Sequence, residues 1–291
     1  MINTHILAQE FDYLEPKTIE EAVRYLAKHG EKAKVIAGGT DLLVKMKMGE
    51  VNPEVLINIS RVPALRYLIE DKGIRMGDLT PFRELEKSRV IKEKHTALFE
   101  AARSVSSIQI KMMGTVGGNL CHASPAADSA PPLIVFGGKV KLVGKGGERI
   151  VPLEDFFISP GESVLSPKEL LVEIQIPELS SKTGSAFLKM KRVSADLSKV
   201  SVAVAILRDG DVCKDCRIAL GAVAKIPLRA KKAEEMLKGE KAKEALIEKA
   251  SLQASQEIQP ITDLRSTAWY RKEVAKVLVR DAINLAWRRA M

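Results

Sequence analysis

The stretch Gly114–Leu133, GTVGGNLCHASPAADSAPPL, places three glycines in its first five residues and follows them with Cys121, His122 and Asp128. An earlier stretch, Val35–Leu43 (VIAGGTDLL), has the same arrangement: an apolar run read as a strand, a glycine pair in a turn, then a polar residue that opens a helix. Glycine adopts backbone conformations closed to other residues and lets a ligand approach the main chain, so successive N–H groups can converge on an anion. Either pair alone is better explained as a plain turn. Two such pairs on separate strands point to a large phosphate ligand gripped from two sides, for which a dinucleotide diphosphate is the natural candidate. Neither stretch is a P-loop or a G-x-G-x-x-G dinucleotide fingerprint.

Other chemistries find little support. His5, His29, His95 and His122 are dispersed without metal-ligand spacing, and no G-x-S-x-G is present. Cys213 and Cys216 have redox or zinc spacing but lack a second pair, and they are expected to be structural, in a turn between strands. Cys121 and His122 sit in the glycine loop, where they line a ligand site rather than form a catalytic thiolate pair. No side chain is named as catalytic and no metal site is expected. Redox chemistry, if present, must come from a cofactor.

The elements around these stretches alternate. Thr18 and Glu21 make a capping-box pattern ahead of Ile19, Ala22, Val23 and Leu26, and Gly30 stops that helix. KVIAGGT gives a strand and turn, and a helix runs from Asp41 to about Gly49. EVLINIS and IRMGDLT read as strands, and Thr80–Pro81 starts a helix to about Ser88. HTALFEAARSVSSIQIKMMG reads as one helix. GKVKLVG and GERIVPL make a hairpin, and ELLVEIQIPEL adds a strand ended by Pro177. Beyond Ser180 three strands, with a turn at DGD, precede a helical region from Leu228 onward. Strands followed by helices suit a separate α+β unit. The expected division is 1–178, with subdomains of about 1–55 and 56–178, and then 179–291. In the last helix Trp269, Val274, Val277, Leu278 and Leu285 are expected to pack on the sheet, with Arg271, Lys272, Lys276 and Arg280 elsewhere.

The 291 residues are 46% hydrophobic and 29% charged, as in an ordinary globular protein. Lys plus Arg (46) exceed Asp plus Glu (37), but the signs are interleaved and only 4% of residues are aromatic, which argues against nucleic acid as a partner. No apolar run spans a membrane, the first residues lack a secretory pattern, and three scattered cysteines form no disulfide framework. A cytoplasmic location is expected.

IAGGTDLL and GTVGGNLCHASPAADSAPPL together resemble the two flavin-binding motifs of the FAD-binding medium subunit of molybdenum hydroxylases, the carbon monoxide dehydrogenase and xanthine dehydrogenase type. The resemblance extends through FDYLEPKTIEEAVRYL, SPKELLVEIQIP, FLKMKR, RIALGAVAKIPLRAKKAEEML and PITDLRSTAWYRKEVAKVLVRDAI, covering nearly the whole chain. It implies an α+β fold: a p-cresol methylhydroxylase-type FAD-binding domain of two α/β subdomains, then a smaller domain with a three-stranded antiparallel sheet and helices. It implies FAD as cofactor and partners carrying molybdopterin and 2Fe–2S clusters, in a dimer of heterotrimers. Electrons would pass from those clusters to NAD or another acceptor.

By the same resemblance, Val35, Ile36, Ala37, Gly38, Gly39, Thr40, Asp41 and Leu42 wrap the FAD diphosphate, with main-chain donors at Ala37–Thr40. Thr115, Val116, Gly117, Gly118 and Asn119 hold it from the other side, and His122 lies beside them. Asp128 binds sugar hydroxyls, although a carboxylate there also suits a helix cap. Leu171 approaches the flavin ring or is simply a buried strand residue. Lys189 contacts FAD, unless a one-residue difference in spacing hands that place to Lys191. Lys111–Met112 depart from the Arg–Asn common in the family. Three cysteines cannot ligate the extra 4Fe–4S cluster found in some relatives. The alternatives are a self-sufficient flavin oxidase of a small substrate, since such enzymes share the fold type, and a basic scaffold protein that has lost its cofactor.

Overall fold

A computed structural model describes residue 7 and residues 9–290. Strands β1 (Asp12–Leu14), β2 (Ala33–Ile36) and β3 (Val55–Asn58) form a parallel sheet in the order β1-β3-β2. Helices α1 (Ile19–His29) and α2 (Leu42–Lys47) lie in the two crossovers, as parallel strands require. Helix α1 buries Ala22, Val23 and Leu26. Thr18 Oγ1 accepts the Glu21 N–H, and the Glu21 carboxylate reaches back to the N–H of Lys17 at 2.8 Å. Gly30, at φ +53°, closes the helix with an N–H bond to Leu26 O.

The second sheet is antiparallel, in the order β4-β5-β10-β6-β7. It contains β4 (Leu68–Glu70), β5 (Gly73–Gly77), β6 (Lys139–Gly144) and β7 (Gly147–Pro152). A ribbon of β8 (Phe157–Ser159) and β9 (Glu162–Ser163) precedes its central strand, β10 (Glu169–Pro177). Six short helices separate β5 from β6: α3 (Phe82–Lys87), α4 (Arg89–Lys94), α5 (Thr96–Ser104), α6 (Ile108–Met113), α7 (Val116–Cys121) and α8 (Ala130–Val135). Strand β10 joins two cores. Leu170 and Val172 pack with the first sheet, whereas Leu171, Ile174 and Ile176 pack with the short helices, because a bulge at Val172 shifts the alternation between Leu171 and Glu173.

The third sheet, β11 (Thr183–Met190), β12 (Val200–Asp209), β13 (Val212–Gly221) and the two-residue β14 (Leu228–Arg229), is antiparallel. Helices α9 (Lys231–Leu237), α10 (Glu244–Glu257) and α11 (Ala268–Arg289) follow it. Side chains alternate in size along β12. Val200, Val202, Val204 and Ile206 pack against these helices, while Ala203 and Ala205 join the core around α5 and α8. Small residues on that face let α8 lie close, so the sheet is covered on both sides.

Several local expectations change. Thr80 does not cap α3; its hydroxyl donates to Tyr67 O at 2.9 Å. The stretch read as one helix before Gly114 is two, α5 and α6, because Ser107 caps a new start by accepting the Ile110 N–H. Cys213 and Cys216 lie within β13, not in a turn, and both are buried. A short β14 precedes the final helices.

In α11 the buried stripe is Arg271, Ala275, Val279, Ala282, Ile283 and Ala286, while Trp269 is 71% exposed. Alanines bring the helix backbone near the sheet, with Val279 and Ile283 filling the space between; of the expected residues Val274, Leu278 and Leu285 pack partly buried on this core, whereas Val277 is exposed. The buried Arg271 guanidinium donates to Lys199 O (3.0 Å), Ala222 O (2.7 Å) and Asp263 Oδ1 (2.7 Å), which offsets its loss of hydration. Among the described residues, no helix is long and apolar enough to cross a membrane.

Candidate functional site

Strand β2 delivers Val35 and Ile36 into the loop Ala37–Asp41, and Leu42 begins α2. Val35 and Ala37 pack on the first core. Gly39 takes φ +70°, which a side chain would resist. At Gly38 an added Cβ would lie 1.9 Å from Met113 O and 2.6 Å from Met113 C, so the loop rests directly on the end of α6. Asp41 makes no side-chain cap to α2. Among the described residues, the N–H groups of Gly38, Gly39, Thr40 and Asp41 donate to no protein acceptor.

The second motif is built differently from the expectation. It follows helix α6, not a strand, and Thr115 caps a new helix, α7. The first amides of α7 are already engaged: Val116 N–H donates to Thr80 O (2.9 Å), Gly117 N–H to Asp78 O (3.2 Å), and Gly118 N–H to Thr115 Oγ1 (3.0 Å). This segment is therefore a smooth wall rather than a second set of free donors. A Cβ on Gly118 would stand 4.0 Å from Ala37 Cβ, and one on Gly114 3.5 Å from Thr40 Oγ1. Gly118 and His122, one helical turn apart, and Gly114 just before α7 all approach the first loop.

His122 Nε2 lies 3.8 Å from Asp41 Oδ1, linking the two motifs across their outer edge. Burial pushes the His122 imidazole below its ordinary value; Asp41 opposes that shift and Lys45 adds to it. Asn119 turns inward, its Oδ1 accepting from Ser129 Oγ at 2.7 Å.

Asp128 does not cap α8. Its Oδ2 accepts from Lys189 Nζ at 2.7 Å and its Oδ1 from Ser198 Oγ at 3.2 Å, both partners lying in or beside the third sheet. Burial raises this carboxyl, and Lys189 pulls it back. A second tie joins Ala222 N–H to Pro125 O at 2.7 Å. The third sheet thus holds the Ser124–Asp128 segment in place. Lys191 donates to Ser194 O, and burial followed by the nearby Lys189 lowers its ammonium. Leu171 is fully buried in the helix-side core and exposes no side chain. Lys111, where relatives were expected to carry Arg, pairs with Glu86 at 3.1 Å.

Sequence reasoning missed Asp78, which is 3% exposed behind α7. Its signal, GDLTP after a strand, reads as an ordinary turn. A groove of about 1000 Å³ between α1 and the β6–β7 hairpin contains none of the residues above. Among the described residues there is no cluster of three or more metal-ligating side chains; His5 lies outside them. These residues fit a diphosphate: four amides without a protein acceptor on one loop, packed against a segment whose glycines let it approach closely.

A family model described as "FAD binding domain in molybdopterin dehydrogenase" matches residues 9–179, and one described as "CO dehydrogenase flavoprotein C-terminal domain" matches 185–286. The chain is 33% identical over 285 residues to the carbon monoxide dehydrogenase medium chain of Hydrogenophaga pseudoflava, covering 98% of this chain and 99% of that one. It is 30% identical to the glyceraldehyde dehydrogenase medium chain of Sulfolobus acidocaldarius over 94% and 98% of the two chains. Among solved structures, the Hydrogenophaga pseudoflava carbon monoxide dehydrogenase superposes with a TM-score of 0.95 at 34% identity, over 98% of this chain and 100% of that one. Quinoline 2-oxidoreductase from Pseudomonas putida 86 gives 0.91 at 26% identity, over 97% and 98%.

Proposed function

The chain belongs to the FAD-binding medium subunits of the molybdenum hydroxylases, and on that premise we propose that it relays electrons from the 2Fe–2S clusters of a small subunit to NAD or another acceptor. A molybdopterin-containing large subunit is the source of those electrons, and a dimer of heterotrimers is the assembly proposed. Relatives named as medium chains, subunits of larger complexes, support this reading. Bound FAD supplies the chemistry, because its isoalloxazine accepts single electrons or a hydride.

The observation that carries the proposal is the meeting of the two glycine segments, with four unspent amides at Gly38–Asp41 on a loop packed beside Gly114 and Gly118. In this reading Val35–Leu42 hold the diphosphate through those amides. Thr115, Val116, Gly117 and Gly118 shape the opposite wall, Asn119 braces it through Ser129, and His122 closes the edge against Asp41. Asp128 and Lys189 act as a pair that fixes the wall. Leu171 supports the site from the core beneath it. The division into 1–178 and 179–291 is proposed on the same grounds, supported by a separate sheet beginning at Thr183. Three free cysteines support a cytoplasmic location.

The test uses the purified complex under anaerobic conditions. Adding the large subunit's substrate is expected to bleach the flavin band together with the iron–sulfur absorption, and NAD or an artificial acceptor to restore both. A flavin that stays oxidised while the clusters are reduced contradicts the relay.

A further inference from the structure

Asp78 follows β5 and lies against the inner side of α7. Its main-chain N–H donates to Val172 O at the β10 bulge (3.2 Å), and its main-chain O accepts from Gly117 N–H (3.2 Å). Its carboxyl presses on Gly117 so closely that a Cβ there would come within 1.9 Å of Oδ1. Oδ2 is buried and has no hydrogen-bond partner. The same side of α7 presents Cys121, one turn beyond Gly117. Its thiol is pushed well up by burial and by Asp78.

We propose that FAD uptake by this chain is coupled to protonation of Asp78, which takes up a proton as the anionic diphosphate settles on the neighbouring face of α7, beside Gly118. The inference rests on the FAD site described above. An ionised Asp78 has no cation or donor to satisfy it. A diphosphate bound nearby, behind one layer of main chain, adds like charge in a region that water leaves when the cofactor covers it. Both effects favour the neutral carboxyl. Burial alone already pushes the Asp78 carboxyl up to about 7 in the free chain, so the proton is absent over much of the alkaline range until FAD restores it.

The other titratable groups near α7 do not mimic this. Cys121 stays a neutral thiol through this range. On the outer side, His122 is already uncharged above its lowered value, with Asp41 and Lys45 as its charged neighbours. The FAD diphosphate itself keeps its charge.

The sign follows from linkage. Below pH 7 Asp78 is protonated with or without FAD, and affinity is flat. Above pH 7 each bound FAD takes up one proton, so Kd rises about tenfold per pH unit until the bound-state value is reached.

The experiment titrates the apo chain with FAD by flavin fluorescence between pH 6 and 9, for the wild type, Asp78→Asn and His122→Gln. The wild type and His122→Gln are expected to show the rise, and Asp78→Asn a flat profile. As a measurement independent of variants, FAD added to the wild type in weak buffer at pH 8 is expected to raise the pH by close to one proton per FAD bound. Tight binding with no proton uptake, or an unchanged slope in Asp78→Asn, overturns the coupling and leaves the FAD site intact. No FAD binding at any pH defeats the site itself.

Discussion

Gly38→Ala is expected to purify colourless and to bind FAD on the order of 100-fold more weakly, the effect of about 2.7 kcal/mol of overpacking in a closed contact. The colliding atoms at Gly38 are the carbonyl O and C of Met113, at 1.9 and 2.6 Å, and main chain cannot swing aside as a side-chain tip does. The loop must lift off α6, carrying its four amides away from the α7 wall. Gly118→Ala meets only Thr115 Oγ1 inside 3.0 Å and is expected to lose about tenfold by weakening that cap. Gly146→Ala has open space around it and serves as the unaffected control. Fluorescence titration with FAD checks all three. Wild-type affinity in Gly38→Ala contradicts the packed-loop geometry.

The second large effect concerns stability. Lys189→Met leaves the Asp128 carboxylate buried with Ser198 as its hydrogen-bond donor and Lys191 as the nearby cation, and is expected to cost about 3 kcal/mol in urea unfolding of the apo chain at pH 7. Lys189→Met combined with Asp128→Asn removes the stranded charge and is expected to recover most of that loss. The pH dependence has a definite sign. Burial already holds the folded-state value of Asp128 above its ordinary value, and loss of Lys189 raises it further, so the added penalty is full at neutral pH and fades as pH falls toward the ordinary aspartate value near 3.8. Equal stability of Lys189→Met and wild-type apo chains contradicts this role and returns Lys189 to a purely cofactor-facing one.

Much of this was legible in the sequence because local chemistry and tertiary packing agreed. Thr18, Glu21 and Gly30 bound α1 by side-chain and backbone bonds that their own neighbours supply. The alternation of Val200, Val202, Val204 and Ile206 with Ser201, Ala203 and Ala205 states that β12 is covered on both faces, by large residues on one and small ones on the other. The two glycine pairs were visible for what they lack, a side chain.

The remainder depended on partners distant in sequence. IQIKMM, an apolar run before Gly114, reads as a strand or as the end of a longer helix until Ser107 is seen capping a separate turn. Whether the Val116 and Gly117 amides are free depends on Thr80 and Asp78, carbonyls more than 30 residues away, which spacing within the motif cannot reveal. The most buried face of α11 is three alanines and Arg271 around Val279 and Ile283, so a search for large apolar residues at helical spacing finds Val274, Leu278 and Leu285 at its margin but not its centre. Asp78 carries no motif at all; its significance is the absence of a partner.

The most direct measurement is a crystal structure of the chain grown with excess FAD. It is predicted to show one diphosphate between the loop Gly38–Asp41 and the Gly114–Gly118 wall, its oxygens within hydrogen-bonding distance of the loop amides, with α7 unmoved. FAD ordered elsewhere on the chain, or those amides turned to protein acceptors with the cofactor present, would contradict it.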